Sequence, residues 1–320
     1  MNKVKFYFIL SLISMVLFSC NEDDNSSVIR PLKPYEEQYP IDIDSIESYL
    51  KTHSFSVVDV DGRIDVEIDT SLVGNASGKG SIWDNTEYPL QFKMVKNDAR
   101  NNNLVDGQVV DPVDYKMYYF IINQGGGDRA TKFDSTYVSY RGWRLDNKQF
   151  DINPTPFWAT FPKISNSELS LISGFRQFTA LLNTAESIDA PTGGDIIYNN
   201  YGVGVVFLPS GLGYYNNPQG SLPSFSPLIF TIRLHSLRER DHDRDGVLSK
   251  YENGNAVEDL YTVDTDGDNI PDFLDIDDDN DNVRTILEVR NPATGKSFPY
   301  ADIPTCLGGT LKKHLDPSCQ

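Results

Sequence analysis

The sequence predicts an α+β fold followed by a small C-terminal module built from loops, and three observations predict it. Between residues 111 and 238, runs such as "YKMYYFII" and "TYVSYRGWRL" are dense in the aromatic and β-branched residues that suit a pleated, half-buried surface. Helical patterns are confined to short stretches, "DIDSIESYLKTHSF" near the start and "RQFTALL" at 176–182. Beyond them "DTDGDNIPDFLDIDDDND", residues 264–281, places nine aspartates in eighteen residues, too much charge for an apolar core.

In chain order, "MNKVKFYFILSLISMVLFSC" sets two lysines before an apolar run of about fifteen residues and the small Ser19. That is the pattern of a secretory signal over residues 1–19, and the run falls short of the roughly 20 residues a spanning helix needs. The ending "LFSC" is similar to the lipobox of bacterial lipoproteins, which implies that Cys20 becomes the first mature residue and carries lipid on its thiol and amino group. Several acyl chains anchor stably where one does not. The resemblance therefore implies a membrane partner through Cys20 and a place in the cell envelope, at the outer membrane. "NEDDNSS" resembles the acidic tract that sends some lipoproteins of Gram-negative bacteria to the cell surface, and it reads equally as a polar tether. An ordinary signal with a chance cysteine is the plainer alternative.

Residues 20–40 are polar and carry Pro31, Pro34 and Pro40, as a tether would. Asp44 with Glu47 then resembles a capping box, and Ile43, Ile46 and Leu50 share one helical face, predicting a short helix. The rest of 41–110 is strand-like but loose, with "IDVEI" alternating and "GNASGKG" breaking the pattern, and no chemistry attaches to it. The formal net charge of −18 is regional: residues 241–288 hold sixteen Asp and Glu against three Lys and Arg. No basic cluster offers itself to a phosphate backbone, which excludes nucleic acid as a partner.

Within 111–238 a specific order of features emerges. "YVSYRGWRLDNKQFD" gives a strand, a turn and Phe150-Asp151; "LISGF" leads into a helix; "VVFLPSGLGYY" and "SLPSFSPLIFTIRLHSL" follow, the last ending in a strand. This succession resembles the FKBP-type peptidyl-prolyl isomerases, which share Y-x-G, F-D, V-I-x-G-W, P-S-x-L-x-Y-G, I-P and L-x-F-x-V-x-L in that order. It covers roughly 105 residues and is similar to the FKBP-type lipoproteins associated with gliding motility in some bacteria. The resemblance implies a half-barrel of antiparallel strands wrapped on one helix, with a proline-sized apolar pocket between them. Carried over motif by motif, Tyr140, Phe150, Asp151, Leu171, Ile172, Phe175, Tyr214, Leu222 and Phe230 take pocket positions, and Phe157 is a further candidate. Phe175 would be the floor, Tyr214 would offer a hydroxyl to the peptide, the Ile172 N–H would receive a substrate carbonyl, and Asp151 would complete the polar edge.

Implied too are proline-containing segments of exported proteins as substrates, and isomerisation without a cofactor. Two departures stand out: Phe175 where the family has Trp, and Tyr215 where it has glycine after the pocket Tyr, expected to crowd that loop. "FPKISNSELS" and "AESIDAPTGGDIIYNN" are longer than the usual connections. The competing reading is that the aromatics fill a sheet core, in a non-catalytic calcium-binding surface protein that uses the pocket for peptide binding or scaffolding.

Residues 239–290 explain the aspartates. In "DHDRDGVLSKYE", Asp241, Asp243 and Asp245 take positions 1, 3 and 5, Gly246 position 6, Val247 position 7, Ser249 position 9 and Glu252 position 12, the pattern of an EF-hand calcium loop. On the same ruler a second loop uses Asp264, Asp266, Asp268, the Ile270 carbonyl, Asp272 and Asp275. A third uses Asp277, Asp279, Asp281, the Val283 carbonyl, Thr285 and Glu288. Asn269 and Asn282 replace glycine at position 6, where Asn tolerates positive φ. The arrangement is similar to thrombospondin type 3 repeats and predicts two to three structural calcium ions. Without cations, carboxylates some 4 Å apart repel by about 1 to 4 kcal/mol per pair. The bland alternative is a solvated acidic linker.

In the tail, 291–320, Cys306 and Cys319 flank a segment too small for a core, and in an exported protein they predict a disulfide. His53, His235, His242 and His314 are scattered and show no zinc spacing.

Overall fold

The computed structural model describes residues 32–69, 80–100, 109–165, 167–252 and 260–319, so the signal segment and Cys20 lie outside the described residues. The chain divides into units 1–33 and 34–320, and all the helices and strands named here belong to the second. Among the described residues no helix is long and apolar enough to cross a membrane.

The architecture is mostly sheet. Helix α1 (Tyr35–Thr52) leads into a hairpin of β1 (Ser54–Val60) and β2 (Arg63–Asp69). Six strands then build one antiparallel sheet: β3 (Gln91–Lys96), β4 (Asp114–Asn123), β5 (Ser135–Arg144), β6 (Gln149–Ala159), β9 (Gly202–Leu208) and β10 (Leu228–Arg238), in the order β3-β4-β9-β10-β5-β6. The connection from β6 to β9 carries helix α2 (Ser173–Thr179) and a small ribbon of β7 (Ser187–Asp189) and β8 (Ile197–Asn199).

Strand period 2 divides the sheet's apolar residues between two faces. From β10, Leu228, Phe230, Ile232 and Leu234 join Phe175 and Phe178 of α2, together with Val206 and Leu208 of β9, in one core. Ile229, Val205, Phe207, Tyr118, Phe120 and Trp143 face the other way, onto Ile46, Tyr49 and Leu50 of α1 and Phe55 and Val66 of the hairpin. Being covered on both sides is why β9 is buried along its whole length and reads as a continuous apolar run. The hairpin is fastened by a buried ion pair: the Arg233 guanidinium lies 2.9 Å from Asp65, and its Nε donates to the Ile64 carbonyl at 2.6 Å.

Two expectations for the N-terminal part are corrected. The helix begins at Tyr35, so Pro40 lies inside it, Asp44 and Glu47 are not at its start, and 35–40 is not tether. Pro40 removes one helical N–H, and tertiary burial outweighs that loss: Gln38, Asp42, Ile46, Tyr49 and Leu50 all fall on the buried side. Glu47 instead accepts the Tyr118 hydroxyl at 2.8 Å.

The helix also acquires a task. Both oxygens of Asp42 are engaged, one with Gln38 Nε2 at 2.6 Å and the other with the backbone N–H and hydroxyl of Ser210 at 2.7 and 2.6 Å. Tyr35 stacks on Tyr215 with ring centroids 4.0 Å apart. Thus α1 holds the 209–215 loop from behind. Asp42→Ala leaves those buried donors unmatched and is expected to cost about 2 to 4 kcal/mol of stability, read by urea unfolding. A loss under about 0.5 kcal/mol would refute that role.

The C-terminal module is fused to the sheet domain rather than hung from it. Phe273 and Leu260 pack with Phe133 and Phe161 in a third core, and the His242 ring meets Phe273 edge-on at 5.6 Å. Val247, Val289 and Ile303 form a fourth. Cys306 and Cys319 are joined in a disulfide with Cα atoms 5.5 Å apart.

Candidate functional site

Strands β5, β6 and β10 and helix α2 bring the pocket aromatics together. Tyr140 stands edge-on to Phe157, Phe175 and Phe230 at centroid distances of 6.0, 5.5 and 5.8 Å. Phe230 in turn meets Phe150 at 5.5 Å and Phe175 at 5.4 Å. Edge-to-face contact of this kind suits ring quadrupoles. Gly142 makes the pair of Phe150 and Phe230 possible, since a Cβ there would stand 2.9 Å from both rings. Phe175, Leu222 and Phe230 are buried, while Tyr140, Phe150, Phe157, Leu171, Ile172 and Tyr214 are half-buried and pack against the same core. The set therefore has a buried floor and half-buried flanks.

The polar groups lie at the edge. The Tyr140 hydroxyl donates to Asp151 Oδ2 at 2.6 Å, and the Ile152 N–H donates to Asp151 Oδ1 at 2.8 Å. Burial, then the Asp151 carboxylate, raise the Tyr214 phenol above its ordinary value, so that hydroxyl stays protonated and able to donate. Ile172 is the N-cap of α2, with extended backbone angles. An open cleft of about 260 Å³ elsewhere, lined by Val66, Ile68, Arg141 and Trp143, contains none of these residues.

Tyr215 does not crowd the pocket. Its φ of 47° is the left-handed conformation that glycine adopts freely. The ring is buried between Tyr35 and Phe225, at centroid distances of 4.0 and 5.0 Å. The sequence shows the swap but not the partner, because Tyr35 reads there as tether.

Two further residues escaped the sequence reading. Arg176, one position after the floor residue, is buried: it pairs with Asp98 at 2.8 Å, donates to the Leu171 carbonyl at 2.9 Å, and lies over the Phe161 ring at 3.4 Å. Asp98 also accepts the Ser173 hydroxyl at 2.6 Å. Burial opposes its charge, but Arg176 and Lys132 hold its carboxyl below the usual range. These contacts seat α2, and hence Phe175, against the 97–100 segment.

The three acidic loops share one backbone plan. The position-9 N–H donates to the carbonyl just before the loop: Ser249 to Arg240 at 2.8 Å, Asp272 to Val263 at 3.0 Å, Thr285 to Ile276 at 3.0 Å. The position-7 N–H donates to the position-5 carboxylate: Val247 to Asp245 at 2.8 Å, Ile270 to Asp268 at 2.7 Å, Val283 to Asp281 at 2.6 Å. Gly246, Asn269 and Asn282 have φ of 98°, 76° and 75°, the conformation position 6 requires. Ser249, Asp272 and Thr285 side chains accept the position-2 N–H of His242, Thr265 and Asp278 at 3.2, 2.7 and 3.2 Å. Position 9 therefore braces the loop's own backbone.

Carboxylate oxygens gather in each loop: those of Asp241, Asp243 and Asp245, of Asp264, Asp266 and Asp268, and of Asp277, Asp279 and Asp281 each lie within 4.8 Å of one another. Oδ2 of Asp243, Asp245, Asp279 and Asp281, and both carboxylate oxygens of Glu252 and Glu288, are buried without a hydrogen-bond donor. Burial and neighbouring carboxylates push Asp243, Asp245 and Glu252 upward, and Glu288 up to about 8. Leaving so many buried acceptors unmatched is costly. The donor set, hard oxygens aimed inward, fits a calcium ion. Asp275 is placed differently, with Oδ1 accepting the Asp277 N–H at 3.0 Å. Asp278, at position 2 of the third loop where the pattern assigns no ligand, forms a further group with Asp245 and Glu252 within the same 4.8 Å.

Residues 242–313 match a family described as BamM C-terminal. Among solved structures, a peptidyl-prolyl cis-trans isomerase from Pseudomonas syringae is similar at 22% identity and a TM-score of 0.30, covering 38% of this chain and 76% of that one. FkpA from Escherichia coli is similar at 18% identity and a TM-score of 0.30, over 38% of this chain and 48% of that one. The N-terminal domain of FKBP42 from Arabidopsis thaliana is similar at 15% identity and a TM-score of 0.30, over 46% of this chain and all of that one (100%). No curated protein matches the chain.

Proposed function

We propose that this protein is an FKBP-type peptidyl-prolyl isomerase. It is exported, anchored at the outer membrane through lipid on Cys20, and acts on proline-containing segments of other exported proteins. The observation that carries the reading is the convergence of Tyr140, Phe150, Phe157, Phe175 and Phe230 around one floor, with the Tyr140 and Asp151 pair at its edge. The order of motifs along the chain supports the same reading.

The reaction needs little besides such a site. Rotation about a peptide C–N bond faces a barrier of about 18 to 20 kcal/mol, because planarity delocalises charge onto the oxygen. A twisted amide is less delocalised and less polar at oxygen. A dry aromatic wall therefore favours it over the planar form, and that difference in binding is catalysis. Phe175 and Phe230 exclude water from beneath the proline ring. Tyr214 and the Ile172 N–H hold the peptide's carbonyls, and Asp151, tied by Tyr140, fixes the polar edge.

Calcium enters as a support and not as a reactant. Asp241, Asp243, Asp245, the Val247 carbonyl and Glu252 would hold the first ion. Asp264, Asp266, Asp268, the Ile270 carbonyl and Asp275 would hold the second, and Asp277, Asp279, Asp281, the Val283 carbonyl and Glu288 the third. The ions supply the counter-charge these loops lack.

A protease-coupled assay on an Ala-Leu-Pro-Phe peptide, in calcium, tests the enzymatic reading. The wild type is expected to exceed the thermal rate. Tyr214→Phe and Asp151→Ala are each expected to lower kcat/KM about tenfold, the worth of one hydrogen bond to a polar or charged group. A wild-type rate equal to background would leave the non-catalytic, peptide-binding protein in its place.

A further inference from the structure

We propose that Asp278, which belongs to the third loop, is a ligand of the first loop's cation and closes that site across the module. The inference rests on the calcium reading above and adds to it a residue that the twelve-residue pattern leaves out.

Position 2 sets Asp278 apart from its counterparts. In the first two loops this residue's side chain serves its own loop: the His242 ring meets the Ser249 hydroxyl at 2.8 Å, and the Thr265 hydroxyl donates to Asp272 at 2.7 Å. In the third, the Asp278 N–H keeps the shared bond to Thr285, but its carboxylate points away from it, toward Asp245 and Glu252. Asp278 is 1% exposed, Asp245 1% and Glu252 6%. Both Asp278 oxygens and both Glu252 oxygens lack a hydrogen-bond donor.

Three buried carboxylates facing one another can be reconciled by a shared proton or by a cation. A cation satisfies all three carboxylates at once, whereas one proton bridges only two of them and leaves the third without a partner. One oxygen from each lies within 4.8 Å of the others, as oxygens on a common ion do, since two ligands each about 2.3 to 2.6 Å from calcium stand up to about 5 Å apart.

Packing independent of these charges fixes the two loops together. A Cβ on Gly246 would collide with Ser297 Oγ and would lie 3.0 Å from Ile286 and 3.2 Å from Val289. Val247 and Val289 share one small core. The third loop is thus held where Asp278 can reach the first, and filling the first site requires the third loop to be folded.

Calorimetric titration of the full-length protein with calcium tests the assignment, using Asp278→Asn and Glu252→Gln. Asp278→Asn is expected to weaken one class of site at least tenfold without changing the others. Combined with Glu252→Gln it should add nothing to the loss Glu252→Gln causes alone, because both act on one ion. Melting gives a second reading with opposite signs: Asp278→Asn should raise the melting temperature in EGTA, where it removes an uncompensated charge, and lower it in calcium. An unchanged isotherm, or losses that add, would overturn the proposal while leaving calcium binding intact. A wild type that binds no calcium would sink the calcium reading itself.

Discussion

Chelating calcium from the purified protein is expected to unfold the segment 241–290 and to lower the melting temperature by ten degrees or more. The size follows from the loops. A site filled at a hundredfold excess over its dissociation constant stabilises the folded form by about 2.7 kcal/mol, so two to three ions contribute roughly 5 to 8 kcal/mol. At the rough exchange of 2 to 4 degrees per kcal/mol for a domain of this size, that exceeds ten degrees. Without the ions, buried oxygens of Asp243, Asp245, Glu252, Asp279, Asp281 and Glu288 have no hydrogen-bond donor. Scanning calorimetry and far-ultraviolet circular dichroism, in calcium and then in EGTA, make the comparison. Superimposable traces would rule out cation-dependent folding, and a Glu252→Gln protein should lose only part of the gain.

Arg176→Ala is expected to destabilise the sheet domain by about 3 kcal/mol, the low end of the range for removing one member of a buried ion pair, because Lys132 still faces Asp98. Asp98 would keep the Ser173 hydroxyl at 2.6 Å and Lys132 at 3.5 Å but lose its closest charge. The Leu171 carbonyl would lose a donor and Phe161 a covering cation. Denaturant unfolding of Arg176→Ala, Asp98→Ala and the double variant checks the account. The double variant should cost clearly less than the two single losses added, whereas simple additivity would show that the pair is not coupled. Because Arg176 adjoins Phe175 on a helix of seven residues, isomerisation should fall along with stability.

These two cases mark where sequence reasoning reaches and where it stops. Strands β4 and β5 and the three loops are legible because each is a local pattern, aromatic and β-branched density in "YKMYYFII" and position-by-position spacing in "DHDRDGVLSKYE". Gly246, Asn269 and Asn282 carry the positive φ their places on the ruler demand. The pocket aromatics were read as a set from the order of motifs, and the structure brings Tyr140, Phe150, Phe157, Phe175 and Phe230 into contact. What escaped depends on pairs far apart in the chain. Arg176 with Asp98, Arg233 with Asp65 and Asp42 with Ser210 are each unremarkable until folding buries them together. The extent of α1 was hidden by Pro40, a residue whose local preference is against helix and whose neighbours' burial decides otherwise. Asp278 was hidden by abundance, one aspartate among nine.

Tyr35 and Tyr215 hold a liability in common. A tyrosine at φ 47° carries backbone strain of order 1 kcal/mol or more that glycine would avoid, and the stacked ring of Tyr35 offsets it. The two positions are therefore expected to drift as a couple: where the first ring is lost, glycine should be favoured at the second, and neither change should prosper without the other.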